Sequence, residues 1–158
     1  MTLIVDVATD GTRSSVARAR IRDVATAVLR AEHVRDALLS IALVSPRQIA
    51  RLNQRHLGHA GPTDVISFAL GGASAKQSRG AVVGDIYIAP DVARANAARF
   101  KRPVREEIAR LIVHGTLHVL GYDHPEGESR TASPMWRRQE RLLAAAMSNR
   151  AVDRARTA

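Results

Sequence analysis

Four of the six prolines in this chain stand where amphipathic segments begin, and they fix where helices can start. Serine–proline pairs occur at 45–46 and 133–134, the usual order of an N-cap residue and a first helical residue. Pro90 and Pro103 precede two further segments with the apolar spacing of helices. Proline has no amide hydrogen to donate, so it is tolerated in the first turn of a helix and disrupts the interior. The prolines therefore predict four separate helices.

Strand-like segments alternate with these helices. The clearest are "DVISFAL" (64–70) and "AVVGDIYIA" (81–89), which are joined by the turn-rich stretch "GGASAKQSRG". "TLIVDV" (2–7) and "ALLSIALVS" (37–45) predict two more strands, with an amphipathic helix over 13–31 between them. The pattern predicts an α+β fold with a sheet of about four strands packed against about five helices.

The chain is expected to form one domain over residues 1–149, followed by a basic polar tail at 150–158. It contains no cysteine, which excludes disulfides and thiolate ligands and suits a reducing compartment. We find no signal peptide and no apolar run long enough to span a membrane. The sequence therefore predicts a cytoplasmic protein without a membrane partner.

Charge points to the kind of partner. The formal net charge is +9, a balance that favours a polyanion such as nucleic acid. Aromatic residues make up only 3% of the chain, which argues against an extended platform for stacking bases.

The strongest functional signal is "HGTLHVLGYDH" at residues 114–124. His114 and His118 are four residues apart on one predicted helix, so their imidazoles lie on the same face. Gly121 is placed to end that helix in a left-handed conformation, and the turn after it can bring His124 to the same ion. Three histidines with an open fourth position are typical of catalytic zinc. The motif predicts one zinc ion per chain on these three histidines, although imidazoles also accept nickel or cobalt.

The same spacing occurs in metzincin peptidases, where a glutamate follows the first histidine and serves as the general base. Here that position is Gly115. A glycine inside a helix costs about 1 kcal/mol relative to alanine, so its presence indicates that the space is needed. Loss of the carboxylate argues against a peptidase, and we rank a metzincin-like metallohydrolase last among the alternatives.

The eleven-residue motif resembles the signature of the YbeY family, bacterial metal-dependent endoribonucleases that take part in ribosomal RNA maturation. The resemblance extends over roughly residues 35–147. Four further blocks match in the same order: "LNQRH" (52–56), "GPTDVISF" (61–68), "GDIYIAP" (84–90) and "MWRRQERLL" (135–143).

The resemblance implies a mixed sheet flanked by helices, with zinc held by His114, His118 and His124. It also implies cleavage of single-stranded RNA, maturation of the 3′ end of small-subunit ribosomal RNA and a part in ribosome quality control. Ribosomal RNA and ribosomal particles are the implied partners. Zinc can activate water or polarise a phosphoryl oxygen, and RNA carries its own nucleophile in the 2′-hydroxyl.

One position departs from the family pattern. The family usually has an arginine, thought to serve activity, where this chain has Leu57, and Arg55 lies two residues away on a different helix face. This departure motivates a second hypothesis, a non-catalytic ribosome-assembly factor in which zinc mainly stabilises the fold.

Two further groups of residues are candidates for supporting roles. Carboxylates near the motif in sequence or in the predicted fold are candidates to orient the imidazoles: Asp85, Asp123, Glu126 and Glu140. The densest basic cluster is a candidate to hold phosphates: Arg99, Lys101, Arg102 and Arg105.

Overall fold

A computed structural model describes residues 1–71 and 80–157 of the chain. The described residues contain four strands: β1 (Thr2–Asp10), β2 (Asp36–Val44), β3 (Val65–Ala69) and β4 (Val82–Ile88). They form one sheet in the order β1-β2-β4-β3. β1 with β2 and β2 with β4 are parallel pairs, whereas β3 runs antiparallel to β4. The mixed four-stranded sheet is confirmed, while the turn-rich loop predicted between β3 and β4 lies, over 72–79, outside the described residues.

Five α-helices accompany the sheet: α1 (Arg18–Ala31), α2 (Pro46–Leu52), α3 (Pro90–Arg99), α4 (Val104–Val119) and α5 (Pro134–Thr157). Proline is the first residue of α2, α3 and α5, as predicted. Before α4, Pro103 is instead the N-cap residue. Ser45 and Gln48 form a reciprocal capping box at the start of α2. The single α+β domain predicted from the sequence is confirmed.

Three helix ends differ from or refine the predictions. α1 begins at Arg18 rather than near residue 13, with Ala17 as its N-cap residue. α2 continues into a π-helical turn, Asn53–Leu57, and ends at Gly58, which has a left-handed φ of 68°. α5 runs on to Thr157, through the segment predicted as a polar tail.

α4 crosses the sheet at close range, and glycines on both sides of the contact permit it. A Cβ atom at Gly115 would lie 2.9 Å from Cγ2 of Ile86, and one at Gly84 would overlap Cγ1 of Val119. Carbon atoms pack best at about 3.5–4.0 Å, so neither position has room for a side chain. The predicted need for space at Gly115 is confirmed, and the atom that fills the space belongs to Ile86.

No helix within residues 1–71 or 80–157 combines the length and apolar character needed to cross a bilayer.

Candidate metal centre

The end of α4 sets the positions of the three motif histidines. His114 and His118 lie one turn apart on the helix, which stops at the C-cap residue Leu120. Gly121 follows with φ of 98°, and its amide donates to the carbonyl of His118 at 3.0 Å. The next amide reaches back to the carbonyl of Leu117, also at 3.0 Å, which completes a Schellman motif. This reversal carries the chain back past the helix end and places His124 beside the other two histidines.

The three imidazoles form one compact group. Their ring centroids are 4.6 Å apart for His114 and His118, 5.1 Å for His114 and His124, and 4.9 Å for His118 and His124. One nitrogen from each ring lies within 4.8 Å of the others. Among the described residues, this is the group of metal-ligating side chains that converges on one point.

Each imidazole is oriented by a hydrogen bond at Nδ1. Nδ1 of His114 lies 2.6 Å from Oε1 of Gln139, and that of His118 lies 3.0 Å from the carbonyl of Tyr122. Nδ1 of His124 lies 3.0 Å from the carbonyl of Pro125. All three partners are oxygen atoms that only accept, so Nδ1 carries the proton in each ring. The Nε2 lone pairs are thereby left for a metal, which is the usual arrangement behind metal-binding histidines.

Burial keeps two of these rings neutral. It lowers the pKa of His114 to about 4, although the bond to Gln139 opposes the decrease. Burial also lowers the pKa of His118, and the neighbouring His124 adds to the effect. Neutral imidazole is the form that binds metals, so at neutral pH these two rings need not lose a proton to do so.

A buried polar network lies behind His114. Gln139 is 1% exposed, and its Nε2 donates to Glu140 at 3.3 Å. Glu140 in turn accepts from Arg110, which is 7% exposed and also contacts Glu107 at 3.0 Å. The network joins α4 to α5 and holds the amide of Gln139 against His114.

The orienting groups are not the carboxylates expected from the sequence. We predicted Asp85, Asp123, Glu126 or Glu140 as partners of the imidazoles, whereas the acceptors are the amide of Gln139 and two backbone carbonyls. The tight turn after α4 brings backbone oxygens to His118 and His124 first. Asp123 accepts from the backbone amide of His124 at 2.8 Å, and Glu140 lies one hydrogen bond further from His114.

Gln139 was missed by sequence reasoning, although a weak signal for it exists. It interrupts the apolar stripe of α5 formed by the buried residues Met135, Leu142, Leu143 and Ala146. A polar residue on a buried helix face needs a hydrogen-bond partner, but the amino-acid sequence does not indicate which residue that partner is.

The other three histidines lie outside the group. His56 packs edge-on against Phe68 at 5.2 Å between ring centroids, and His33 and His59 are exposed. His33 adopts a left-handed φ of 59° in the turn after α1.

Leu57 closes the π-helical turn after α2 and is 49% exposed. The buried amide of Asn53 in the same turn donates to the carbonyl of Gly61 at 3.0 Å. This bond ties the turn to the loop that leads into β3. The position at which the family usually carries arginine is thus a solvent-facing position.

The fold and the site together define a small α+β protein with three converging imidazoles, a class suited to holding a single metal ion. The family model described as Endoribonuclease YbeY matches residues 6–147. The chain therefore belongs to the YbeY family.

Curated relatives agree with this assignment. A protein named Endoribonuclease YbeY from Frankia casuarinae is 37% identical over 150 residues, which cover 90% of this chain and 74% of the relative. One of the same name from Syntrophus aciditrophicus is 36% identical over 116 residues, covering 73% and 72% of the two chains. The solution structure of TM1509 from Thermotoga maritima superposes with a TM-score of 0.62 at 22% identity. That comparison covers 95% of this chain and 93% of the other, and supports the fold alone.

Proposed function

We propose that this protein is a zinc-dependent endoribonuclease that cleaves single-stranded RNA, with His114, His118 and His124 as the metal ligands. Membership of the YbeY family and the names of the curated relatives support the activity. The observation that carries the site is the set of three Nδ1 hydrogen bonds to oxygen acceptors. A histidine group without a role in metal binding would have no need to expose three lone pairs toward one point.

The chemistry needs no carboxylate after the first histidine. When bound, zinc supplies a Lewis acid that polarises a phosphoryl oxygen of the substrate. The protein would contribute three imidazole ligands, which would leave a coordination position for the substrate. The 2′-hydroxyl of RNA can act as nucleophile, which fits a site where Ile86 occupies the space beside Gly115.

The biological substrate that we propose is ribosomal RNA within ribosomal particles in the cytoplasm, with cleavage contributing to the 3′ end of the small-subunit RNA. The motif blocks shared with the YbeY family support this choice, and the net charge of +9 suits a polyanionic substrate. Zinc is the metal that the family resemblance favours, although the three imidazoles alone would also accept nickel or cobalt.

The test combines metal analysis with a cleavage assay on single-stranded RNA. Wild-type protein should hold about one metal ion per chain on three histidine ligands, and His118→Ala should lose both the metal and the cleavage. His33→Asn is the matched control, because His33 is exposed and asparagine tolerates its left-handed backbone.

Two results would contradict the proposal. Cleavage by His118→Ala at the wild-type rate would show that the histidine group is not the active centre. Processing of ribosomal RNA in cells restored by His118→Ala would favour the assembly-factor hypothesis instead.

A further inference from the structure

A cavity of about 250 Å³ opens directly beside His114. Its walls come from the start of β3, from α3 and the turn after it, from α4, and from α5 with the 3₁₀ turn before it (Gly127–Ala132). His114 and Gln139 both line it, so the cavity reaches the candidate metal centre. Nothing in the site as described so far uses this space.

Two arginine–aromatic pairs line the cavity. The guanidinium of Arg102 lies 5.5 Å from the ring centroid of Phe100, at the turn between α3 and α4. The guanidinium of Arg130 lies 5.5 Å from the ring of Trp136, on α5. Aromatic rings and guanidinium planes are the groups on which unpaired bases stack. Phe100 is 55% exposed, so part of its ring is accessible from solvent.

The two arginines differ in how far their charge is neutralised. Arg102 lies 3.7 Å from Glu107, whose carboxylate also binds Arg110 at 3.0 Å. Arg130 has no carboxylate partner among the ion pairs of the described residues. It also lines a second cleft that contains His124, so it stands between two of the three histidines. A guanidinium with no carboxylate partner among the described side chains suits a phosphate group of the substrate.

The remaining polar side chains suit the edge of a base. Asp64 and Asn96 face the same cavity, and the amide of Asn96 donates to the carboxylate of Asp64 at 3.4 Å. Both keep further capacity for hydrogen bonds with the donors and acceptors of a nucleobase. Stacking surfaces, a phosphate contact and a polar edge are thus present in a single cavity.

We propose that this cavity binds one unpaired nucleotide of the RNA substrate, with its base against Phe100 and Trp136 and its phosphate on Arg130. The proposal rests on the proposed function, since it assumes that RNA enters the site beside His114. It is a subsite for one nucleotide, which agrees with the low aromatic content that argues against an extended stacking platform.

The chain offers a built-in probe, because Trp136 is its only tryptophan. A short single-stranded RNA with 2′-O-methyl groups, which lacks the 2′-hydroxyl nucleophile, should quench the tryptophan fluorescence in a saturable way. The same sequence as a duplex should not, since its bases are already stacked. Equal quenching by both forms, or none by the single strand, would overturn the proposal.

Variants then locate the contacts, with binding of the labelled single strand measured by fluorescence anisotropy. Arg130→Gln should weaken binding about tenfold and reduce the slope of log affinity against log salt by about 0.7. Trp136→Leu should weaken binding about tenfold, whereas Trp136→Phe should keep most of the affinity. Arg141→Gln is the charge control, because Arg141 is exposed on the same helix and lies on the face opposite Gln139.

Wild-type affinity in both Arg130→Gln and Trp136→Leu, with normal thermal unfolding, would show that the nucleotide binds elsewhere. That result would leave the proposed function intact if wild-type protein still cleaves RNA. Conversely, a wild-type protein that binds RNA through Arg130 and Trp136 without cleaving it would support the subsite and contradict the endoribonuclease.

Discussion

At the scale of single residues, the side chain of Gln139 decides which nitrogen of His114 faces the candidate metal centre. Its Oε1 lies 2.6 Å from Nδ1 of His114 in an environment where Gln139 is 1% exposed. Without that acceptor, the Nδ1 proton would be buried and unpaired, or it would move to Nε2 and block the metal position. Gln139 is therefore a positioning residue for the site.

Replacing the amide tests this role. Gln139→Leu should lower metal affinity about ten- to hundredfold, the usual cost of losing an outer hydrogen bond to a ligand. Gln139→Glu retains an acceptor for His114 but loses the donor to Glu140, so it should lower metal affinity less than Gln139→Leu while also lowering the free energy of unfolding. Competition with a chromophoric chelator measures both affinities. Equal binding by Gln139→Leu and wild-type protein would show that the hydrogen bond does not set the ligand.

At position 57 the informative experiment adds a functional group instead of removing one. It restores the arginine that the family usually carries there. Leu57→Arg should increase both the binding and the cleavage of single-stranded RNA, because it adds a solvent-facing cation to the turn that Asn53 ties to the loop before β3, and Asp64 of that loop lines the cavity beside His114. Leu70→Arg is the matched control, since Leu70 is 56% exposed at the far end of β3. Equal gains in both variants would indicate a general charge effect.

The convergence of the three histidines and the turn at Gly121 could be predicted from the sequence because their spacing is local and each residue type has few uses. The partners at Nδ1 could not. Gln139 lies 25 residues from His114 and meets it only after α5 packs against α4. The acceptors of His118 and His124 are backbone carbonyls, and every residue carries such a carbonyl whatever its side chain. The sequence therefore does not distinguish which residue supplies them.

At the scale of elements, the contact between α4 and β4 depends on the absence of side chains. Gly84→Ala should destabilise the fold by about 1–3 kcal/mol, because its Cβ would overlap Val119. Val119→Ala removes the overlapping atoms, so the double variant should be more stable than the sum of the single effects predicts. Urea unfolding of the four proteins measures this coupling. Strict additivity would mean that α4 and β4 do not meet as described.

The joint between α4 and α5 relies on a buried charge. Arg110 contacts three carboxylates, those of Glu106, Glu107 and Glu140, at 3.0–3.2 Å. Arg110→Met should cost about 3 kcal/mol of unfolding free energy, since it leaves the buried carboxylate of Glu107 with only the more distant Arg102, at 3.7 Å, as a counter-charge. Arg94→Met should cost at most about 1 kcal/mol, because its pair with Asp91 is solvent-exposed. Similar losses in the two variants would contradict the structural importance of the network.

At the scale of the whole molecule, the sequence predicts which segments are helices and which are strands, and where several of them begin or end. Helix starts at the prolines and the end of the π-helical turn at Gly58 follow from local backbone chemistry. The order of the strands does not. β4 lies between β2 and β3, an arrangement fixed by contacts between segments far apart in the chain. Only the family resemblance indicated that the sheet would be mixed.

The net charge bears on how strongly the affinity of this protein for a polyanion depends on salt. The predicted basic cluster surrounds the turn between α3 and α4, where Arg99 and Arg102 both lie over Phe100. If Lys101, Arg105 and Arg130 join these two in phosphate contacts, the log–log slope of RNA affinity against salt should be about −3.5. Binding titrations of the non-cleavable single strand at several salt concentrations measure it. A slope near zero would mean that the charge of +9 plays no part in binding.

The glycine after the first histidine also bears on what this protein could become. A single base change converts some glycine codons into glutamate codons, so the peptidase-type residue is genetically one step from Gly115. Packing opposes the step, because the first side-chain carbon would lie 2.9 Å from Cγ2 of Ile86. Acquiring that base would first require a smaller side chain at position 86 or a shift of α4 away from β4. Packing in the hydrophobic core, rather than the residues of the candidate site, therefore keeps this protein from acquiring the peptidase-type base. Substitutions on the surface alone would not provide it.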